Sequence, residues 1–168
     1  MRKEWPDLRA DIERARQELY VSHDVFAPIQ PNDWQGIEEQ IYREFCQLDH
    51  PTARPVWLWM TFKKDTAKLA LNSWQEQENI ILQLLDQHQR MWLMVNESFN
   101  NAEKFWFYEC EIEAAMQILA DLYYLDEFYL VDKKYNWIVA VDHHNILHVS
   151  GQTLAERLRN LTEQGEAT

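Results

Sequence analysis

Three histidines lie close together in the sequence: His143 and His144 follow Asp142, and His148 comes three residues after Asn145. Imidazole binds transition metals and transfers protons near neutral pH, so this segment could form a metal site or an acid–base centre. Adjacent histidines point to opposite faces of a strand, whereas a turn can bring them together. No third ligand follows at a spacing such as His-Glu-x-x-His. We therefore predict a hydrogen-bonded turn without a metal or cofactor; a small metal-dependent enzyme built on the three histidines is the alternative.

Other catalytic signatures are weak. Cys110 lies between Glu109 and Glu111, whose charges would raise the pKa of its thiol and make it a poor nucleophile. The chain has three glycines, which is too few for a phosphate-binding loop or a dinucleotide fingerprint. Carboxylate pairs such as Glu111 and Glu113 could serve a glycosidase, but they are too common in this chain to be specific. We therefore predict no catalytic residues.

The chain is acidic, with a formal net charge of −12 and a pI near 4.8. This charge disfavours nucleic-acid binding, which needs a basic face to displace counterions, and it favours a basic protein partner. No Lys or Arg lies between Lys104 and Lys133, and this acidic segment carries seven carboxylates: Glu109, Glu111, Glu113, Asp121, Asp126, Glu127 and Asp132. The segment is either a solvated surface or a docking patch. The candidate partner-binding residues are Glu109, Glu111, Glu113, Asp126, Glu127, His143 and His144.

The composition indicates one globular domain. A chain of 168 residues can bury a core without disulfides, and 46% hydrophobic residues with eight Trp argue against disorder. Cys46 and Cys110 are far apart in sequence, so neither a disulfide framework nor a thiolate zinc site is expected. The N-terminus lacks a signal-peptide core, and no apolar run reaches transmembrane length. We therefore expect a cytoplasmic protein that does not enter a membrane.

Five helices are predicted from apolar periodicity and capping residues. An N-terminal helical pair occupies residues 1–50; its first helix begins at Pro6 and its second is capped by Asn32 or Asp33. Capping-box spacing after Ser73 and Thr153 opens two more helices, the last spanning residues 153–163. The predicted apolar stripes of the first two helices and of the helix after Glu111 are Leu8, Ile12, Ala15 and Leu19; Trp34, Ile37, Ile41 and Phe45; and Ile112, Ala115, Met116, Leu119 and Tyr123.

Six strands are predicted within residues 56–150, at residues 56–62, 91–95, 104–108, 128–131, 137–141 and 146–149. The last three are joined by short connections, so they should form an antiparallel meander. The expected fold is α+β: a single domain whose predominantly antiparallel sheet of about six strands packs with about five helices. Exposed edge strands pair readily, so a homodimer or a homo-oligomeric structural module is a further alternative.

Aromatic residues recur in the predicted strands, and core packing is the first explanation for them. Any that remain exposed would instead resemble the aromatic anchors of a protein interface. The residues in question are Trp57, Trp59, Trp92, Trp106, Tyr129 and Trp137.

Residues 91–151 contain a recurring set of motifs: Trp92, Lys104-Phe105-Trp106, Lys133-Lys134-Tyr135-Asn136-Trp137 and His143-His144. In these motifs the chain resembles a family of small, uncharacterised bacterial proteins. That family is similar to the immunity proteins of polymorphic toxin systems, including the broad SUKH-type group. The resemblance covers about a third of the chain. It implies a small cytoplasmic α+β domain that neutralises a cognate toxin by binding it, and it supplies no catalytic residues.

Overall fold

The structure, a computed structural model, describes residues 8–50, 57–63, 65–96, 105–122, 125 and 127–166. Four residues named above lie outside these ranges, Pro6, Lys104, Tyr123 and Asp126, as does the first residue of the strand predicted at 56–62. Within the described ranges the chain forms five α-helices and a seven-stranded antiparallel sheet, which confirms the predicted α+β class with one strand more than expected.

The elements alternate along the chain. The helices are α1 (Leu8–Glu18), α2 (Trp34–Phe45), α3 (Trp74–Leu84), α4 (Ile112–Ala120) and α5 (Gln152–Glu166). The strands are β1 (Phe26–Pro28), β2 (Thr66–Ala70), β3 (Arg90–Asn96), β4 (Phe105–Glu111), β5 (Phe128–Asp132), β6 (Ile138–Val141) and β7 (Ile146–Ser150). A short 3-10 helix spans Leu58–Thr61.

The strands lie in the order β1-β4-β3-β5-β6-β7-β2, and each pairs antiparallel with its neighbours. The predicted β5-β6-β7 meander is confirmed. Strands β3, β5 and β6 are buried almost throughout, since both faces of the sheet are covered. The two edge strands, β1 and β2, come from parts of the chain where no strand was predicted.

The sheet separates two hydrophobic clusters. On one face, residues of α1, α3, α4 and α5 pack against alternate strand residues such as Leu93 and Leu130. On the other face, α2 and the 3-10 helix pack against Met94 and Tyr129, with Phe45 among the fully buried side chains. Helices therefore cover both faces, and the second face carries the thinner layer.

The predicted strand at 56–62 is wrong. Leu58 is buried, whereas Trp57 and Met60 are 46% and 63% exposed, a spacing of about three residues that suits a 3-10 turn. The hydroxyl of Thr61 donates to the Leu58 carbonyl at 2.7 Å and closes the turn. The segment then pairs with the end of α2, because Lys63 N–H donates to the Phe45 carbonyl at 2.9 Å. An apolar run without periodicity does not distinguish a strand from this arrangement.

The two unpredicted strands have weak strand sequences. β1 is three residues long and ends at Pro28, which lacks an N–H and is tolerated at a sheet edge. β2 has the sequence Thr-Ala-Lys-Leu-Ala, in which only Thr favours strands. It is held by pairing with β7 over five residues, from Thr66 opposite Ser150 to Ala70 opposite Ile146. Tertiary pairing, and not local preference, creates both edges.

The helix predictions differ from the structure mainly at helix ends. The Ser73 cap is confirmed, because its hydroxyl accepts from Glu76 N–H at 3.2 Å. Asp33 occupies the N-cap of α2 but makes no side-chain cap bond. Leu19 lies beyond α1 and is 41% exposed, so it does not belong to the predicted apolar stripe. Helix α5 begins at Gln152, one residue before Thr153 and directly after Gly151, whose φ is +124°.

Candidate functional site

The histidine turn is built around one buried carboxylate. Asp142, 1% exposed, accepts through Oδ1 from the backbone N–H groups of His144 at 2.7 Å and Ile146 at 3.1 Å. Its Oδ2 accepts from Nε2–H of His148 at 2.7 Å. Asn145 closes the turn with φ +61°, its N–H donating to the Asp142 carbonyl at 3.0 Å. The predicted hydrogen-bonded turn between β6 and β7 is therefore confirmed.

The Asp142 carboxyl is held in its charged form. Burial raises its pKa, but the hydrogen bond from His148 and those from the backbone N–H groups of Ile146 and His144 outweigh burial, so the net pKa lies below the usual 3.8. A charged, fully bonded carboxylate fixes both the backbone of the turn and the ring of His148. This gives the turn a defined shape.

A second buried carboxylate, Glu127, lies just before β5. Its Oε1 accepts from the indole Nε1–H of Trp59 and from Nδ1–H of His143, each at 3.1 Å. Its Oε2 accepts from the hydroxyl of Tyr129 at 3.2 Å. Burial raises the pKa of Tyr129, and the charge of Glu127 raises it further, so this hydroxyl remains a donor. Glu127 thus joins the 3-10 helix, β5 and the histidine turn.

The rings of these residues form a continuous aromatic group. Trp59 stacks on His148 with ring centroids 4.7 Å apart, and the rings of His143 and His144 are 4.0 Å apart. Trp57 lies against His143 at 5.7 Å. Because Trp57, His143 and His144 are all exposed, they form one outward-facing patch, which we name the histidine–tryptophan surface. Met60 is exposed on the same 3-10 helix.

The strand register places His148 near the polar end of one row of the sheet. Tyr129 pairs with Ala140, Ala140 with His148, and His148 with Lys68 on the edge strand β2. Paired residues share a face of the sheet, so the row passes from the buried Tyr129 to the exposed Lys68. His148 is therefore the boundary between core and surface.

The acidic segment does not form one acidic surface. Glu127 and Asp132 are 5% and 4% exposed, so the interpretation of Glu127 as a surface docking residue is wrong. Glu109 is ion-paired with Lys133 and lies 3.5 Å from Arg90; the hydrogen bond from Lys133 is the main reason that the Glu109 pKa is lowered.

The remaining acidic positions are distributed around helix α4. Glu111 is half-buried at its N-cap, Glu113 is exposed in its first turn, and Asp121 is exposed at its C-cap. Asp126 lies outside the described residues. Of the six carboxylates of this segment that the structure describes, two are exposed, and they lie at opposite ends of one helix.

The described residues show little that would serve metal or thiol chemistry. Among them, no group of three or more His, Cys, Asp or Glu side chains is arranged to hold a metal ion. His143 and His148 donate to different carboxylates, so each imidazole is already oriented by its own partner. Cys46 and Cys110 are buried free thiols. Burial raises the pKa of Cys46 to about 11 and also raises that of Cys110, so neither is a nucleophile at neutral pH.

A model of a protein family described as a family of unknown function, DUF6756, matches residues 4–162. The chain belongs to DUF6756. The match covers both helical layers and the whole sheet. No curated protein and no solved structure matches the chain. Because the description of DUF6756 names no activity, the immunity function stays a prediction for this chain.

Three features of the site in this DUF6756 chain were not predicted from sequence: the placement of the two tryptophans, the role of Asp142 and the burial of Glu127. Trp57 and Trp59 were assigned to a strand, whose geometry would have sent them in the same direction into the core. Asp142 carried a usable signal, because Asp side chains commonly accept from the N–H two residues later and stabilise turns. Glu127 carried none, since its bond to Trp59 joins residues 68 positions apart.

None of the helices within the described ranges is both long enough and apolar enough to cross a membrane.

Proposed function

We propose that this protein is a cytoplasmic binding protein of the immunity type, which neutralises a cognate toxin domain by direct contact through the histidine–tryptophan surface. One observation carries the proposal: Trp57, 46% exposed, lies against the exposed ring of His143 above a buried hydrogen-bond network. Large exposed aromatic residues are the commonest energetic centres of protein interfaces.

The buried network supports binding because it reduces the cost of ordering. Glu127 fixes Nδ1 of His143, and Asp142 fixes the backbone of the turn at His144. A partner would therefore meet side chains that already hold a defined orientation, and the entropy lost on association would be smaller. The outer edges of both imidazole rings can then donate or accept according to the partner's groups.

The charge of the chain supports a basic partner. A net charge of −12 attracts a cationic domain over a distance limited by salt and speeds encounter. Since Glu127 and Asp132 are buried, this attraction comes from the molecule as a whole and not from one patch. Long-range electrostatic attraction is therefore assigned to the net charge of the molecule, and direct contact with the partner is assigned to the histidine–tryptophan surface.

The enzyme alternative has weaker support. Within the described residues, no Ser, Thr or Cys side chain is hydrogen-bonded to His143 or His148, so neither imidazole has a nucleophile to activate. Elemental analysis would separate the two functions. One tightly held zinc, manganese or iron per chain, lost when His143 and His144 are both replaced by Ala, would favour the enzyme.

The binding proposal is tested with a basic toxin domain encoded beside the gene for this protein. We expect Trp57→Ala to raise the dissociation constant by about tenfold or more, as for a central aromatic anchor, and to abolish protection from the toxin. Tyr20→Asn is the matched control, because Tyr20 is 95% exposed in the left-handed region that Asn tolerates. Equal affinity for wild type and Trp57→Ala would move the interface to another surface.

A further inference from the structure

A second concave surface lies at the opposite end of β6 from the histidine turn. It is a groove of about 1030 Å³ between the β5–β6 turn, the loop from α3 to β3, and the first turn of α5. Ligand sites usually measure about 300–1,000 Å³, so the groove is large enough for a small organic molecule. The two turns of β6 keep it separate from the histidine–tryptophan surface.

The groove is basic although the protein is acidic. Four of the chain's sixteen basic residues line it: Arg90, Lys133, Lys134 and Arg157. Two carboxylates, Asp86 and Asp132, also line it. The positive side chains outnumber the negative ones, which is the reverse of the composition of the whole chain.

Both carboxylates of the groove are used to hold its walls. Asp86 accepts from the backbone N–H of His88 at 3.0 Å, which shapes the loop before β3. Asp132, 4% exposed, accepts from the side chain of Gln89 at 3.0 Å and from the backbone N–H of Asn136 at 3.1 Å. These bonds tie two loops together, and neither carboxylate is ion-paired with a cation of the groove within the described residues.

Two of the cations are therefore left to act on a ligand. Arg157 donates from Nη1 to the Leu84 carbonyl at 2.8 Å. This bond anchors the guanidinium and leaves its other N–H groups to donate to a ligand. Among the described residues, no carboxylate pairs with Lys134 or Arg157. Arg90 and Lys133, by contrast, share Glu109. Lys134 and Arg157 are thus the positive groups with the least compensation.

Other parts of the groove suit an anion with an organic body. The exposed edges of Leu85 and Trp137, which are 5% and 9% exposed, supply a small apolar wall. Gln152 and Thr153, at the start of α5, lie along the same groove, and the first turn of this helix carries no acidic residue. The aligned peptide dipoles there add to the positive potential of the four side chains.

We propose that this groove binds a small organic anion carrying two or more negative charges on phosphate or carboxylate groups. The anchored guanidinium of Arg157 presents paired N–H groups to one oxyanion, as arginine does for phosphates and carboxylates. The exposed ammonium of Lys134 neutralises a second charge. The ligand is distinct from the protein partner of the histidine–tryptophan surface.

The proposal is tested by isothermal titration of the purified protein with pyrophosphate and, separately, with citrate. We expect saturable one-to-one binding of at least one probe, and the stronger of the two identifies the phosphate or the carboxylate class. Lys134→Gln and Arg157→Gln should each weaken it by about tenfold, the usual effect of losing one charge-assisted hydrogen bond. Arg159→Gln is the matched control, because Arg159 lies on the same helix but pairs with Asp65 at 2.9 Å.

The possible results separate cleanly. Weaker binding of the probe by both groove variants, with unchanged binding by Arg159→Gln, would support the site. If Arg157→Gln proves unstable, the affinity of Lys134→Gln alone decides the matter. Equal weakening by all three variants would show non-specific charge attraction and overturn the proposal. Failure of both probes to bind at millimolar concentration, or binding of an acidic polypeptide in their place, would also overturn it.

Discussion

Glu127 and His143 form a hydrogen-bonded pair in which the carboxylate is buried and the imidazole is exposed. Nδ1 of His143 donates to Oε1 of Glu127 at 3.1 Å, and the same oxygen accepts from the indole of Trp59. A single buried atom therefore positions the histidine turn and the 3-10 helix relative to each other. The surface formed by Trp57, His143 and His144 depends on this pair.

Replacement of Glu127 should show how much its buried hydrogen bonds contribute to the stability of the fold. We expect Glu127→Ala to lower the free energy of unfolding by about 2–4 kcal/mol, because Trp59 and Tyr129 would each lose a buried acceptor. Glu127→Gln should cost less, since its amide oxygen can still accept one of these bonds. Urea titration of both variants measures the difference. Equal and negligible losses would mean that the network adds nothing to the fold.

The two neighbouring tryptophans should behave oppositely. Trp57→Ala is expected to change the free energy of unfolding by less than about 1 kcal/mol, because much of the side chain is already exposed. Trp59→Ala should cost about 2–4 kcal/mol, since Trp59 stacks on His148 and donates to Glu127. Denaturant midpoints of the two variants, measured side by side, test this. A larger loss for Trp57→Ala would contradict the assigned surface.

Asp142 should contribute stability that depends on pH. Its pKa in the folded protein lies below the ordinary 3.8, so the contribution is fully present above the unfolded pKa and is lost as the pH falls through the folded one. We expect Asp142→Asn to be destabilising at neutral pH and to approach wild type below about pH 4. Thermal unfolding from pH 7 to pH 2 measures the convergence. A loss of stability that stays the same from pH 7 to pH 2 would contradict this assignment.

Trp137 tests the core on the face of the sheet that four helices cover. It is 9% exposed and packs in the cluster that α1, α3, α4 and α5 cover. Trp137→Ala should lower the free energy of unfolding by roughly 3–5 kcal/mol, the usual cost of removing a large buried aromatic residue. A guanidinium titration is suitable. A midpoint near that of wild type would require Trp137 to be a surface residue.

Much of the fold could be predicted because local and long-range preferences agree. The β5–β6–β7 meander has apolar strands joined by short turns, and the structure pairs these strands in sequence. The strand prediction around Leu58 was wrong because a continuous apolar run shows no periodicity that would distinguish a strand from a 3-10 helix. β2 was not predicted because Ala67 and Lys68 have little strand preference, and the strand depends on pairing with β7.

The site was only partly predictable for the same reason. His143 and His144 could be singled out because they are adjacent in sequence, and the turn that contains them is stabilised locally by Asp142. The contact between Trp59 and Glu127 depends on how the 3-10 helix packs on the sheet, because the two residues are 68 positions apart. Burial likewise decides which acidic residues meet solvent, and no spacing along the chain reveals that Glu127 is inside.

The position of β2 has a consequence for synthesis on the ribosome. β2 ends at Ala70, but its pairing partner β7 ends at Ser150, so the emerging strand must wait for 80 further residues. At about 5–20 residues per second, this delay lasts roughly 4–16 seconds. During that interval residues 66–70 lack their strand partner, and β2 joins the sheet only after β7 has been synthesised.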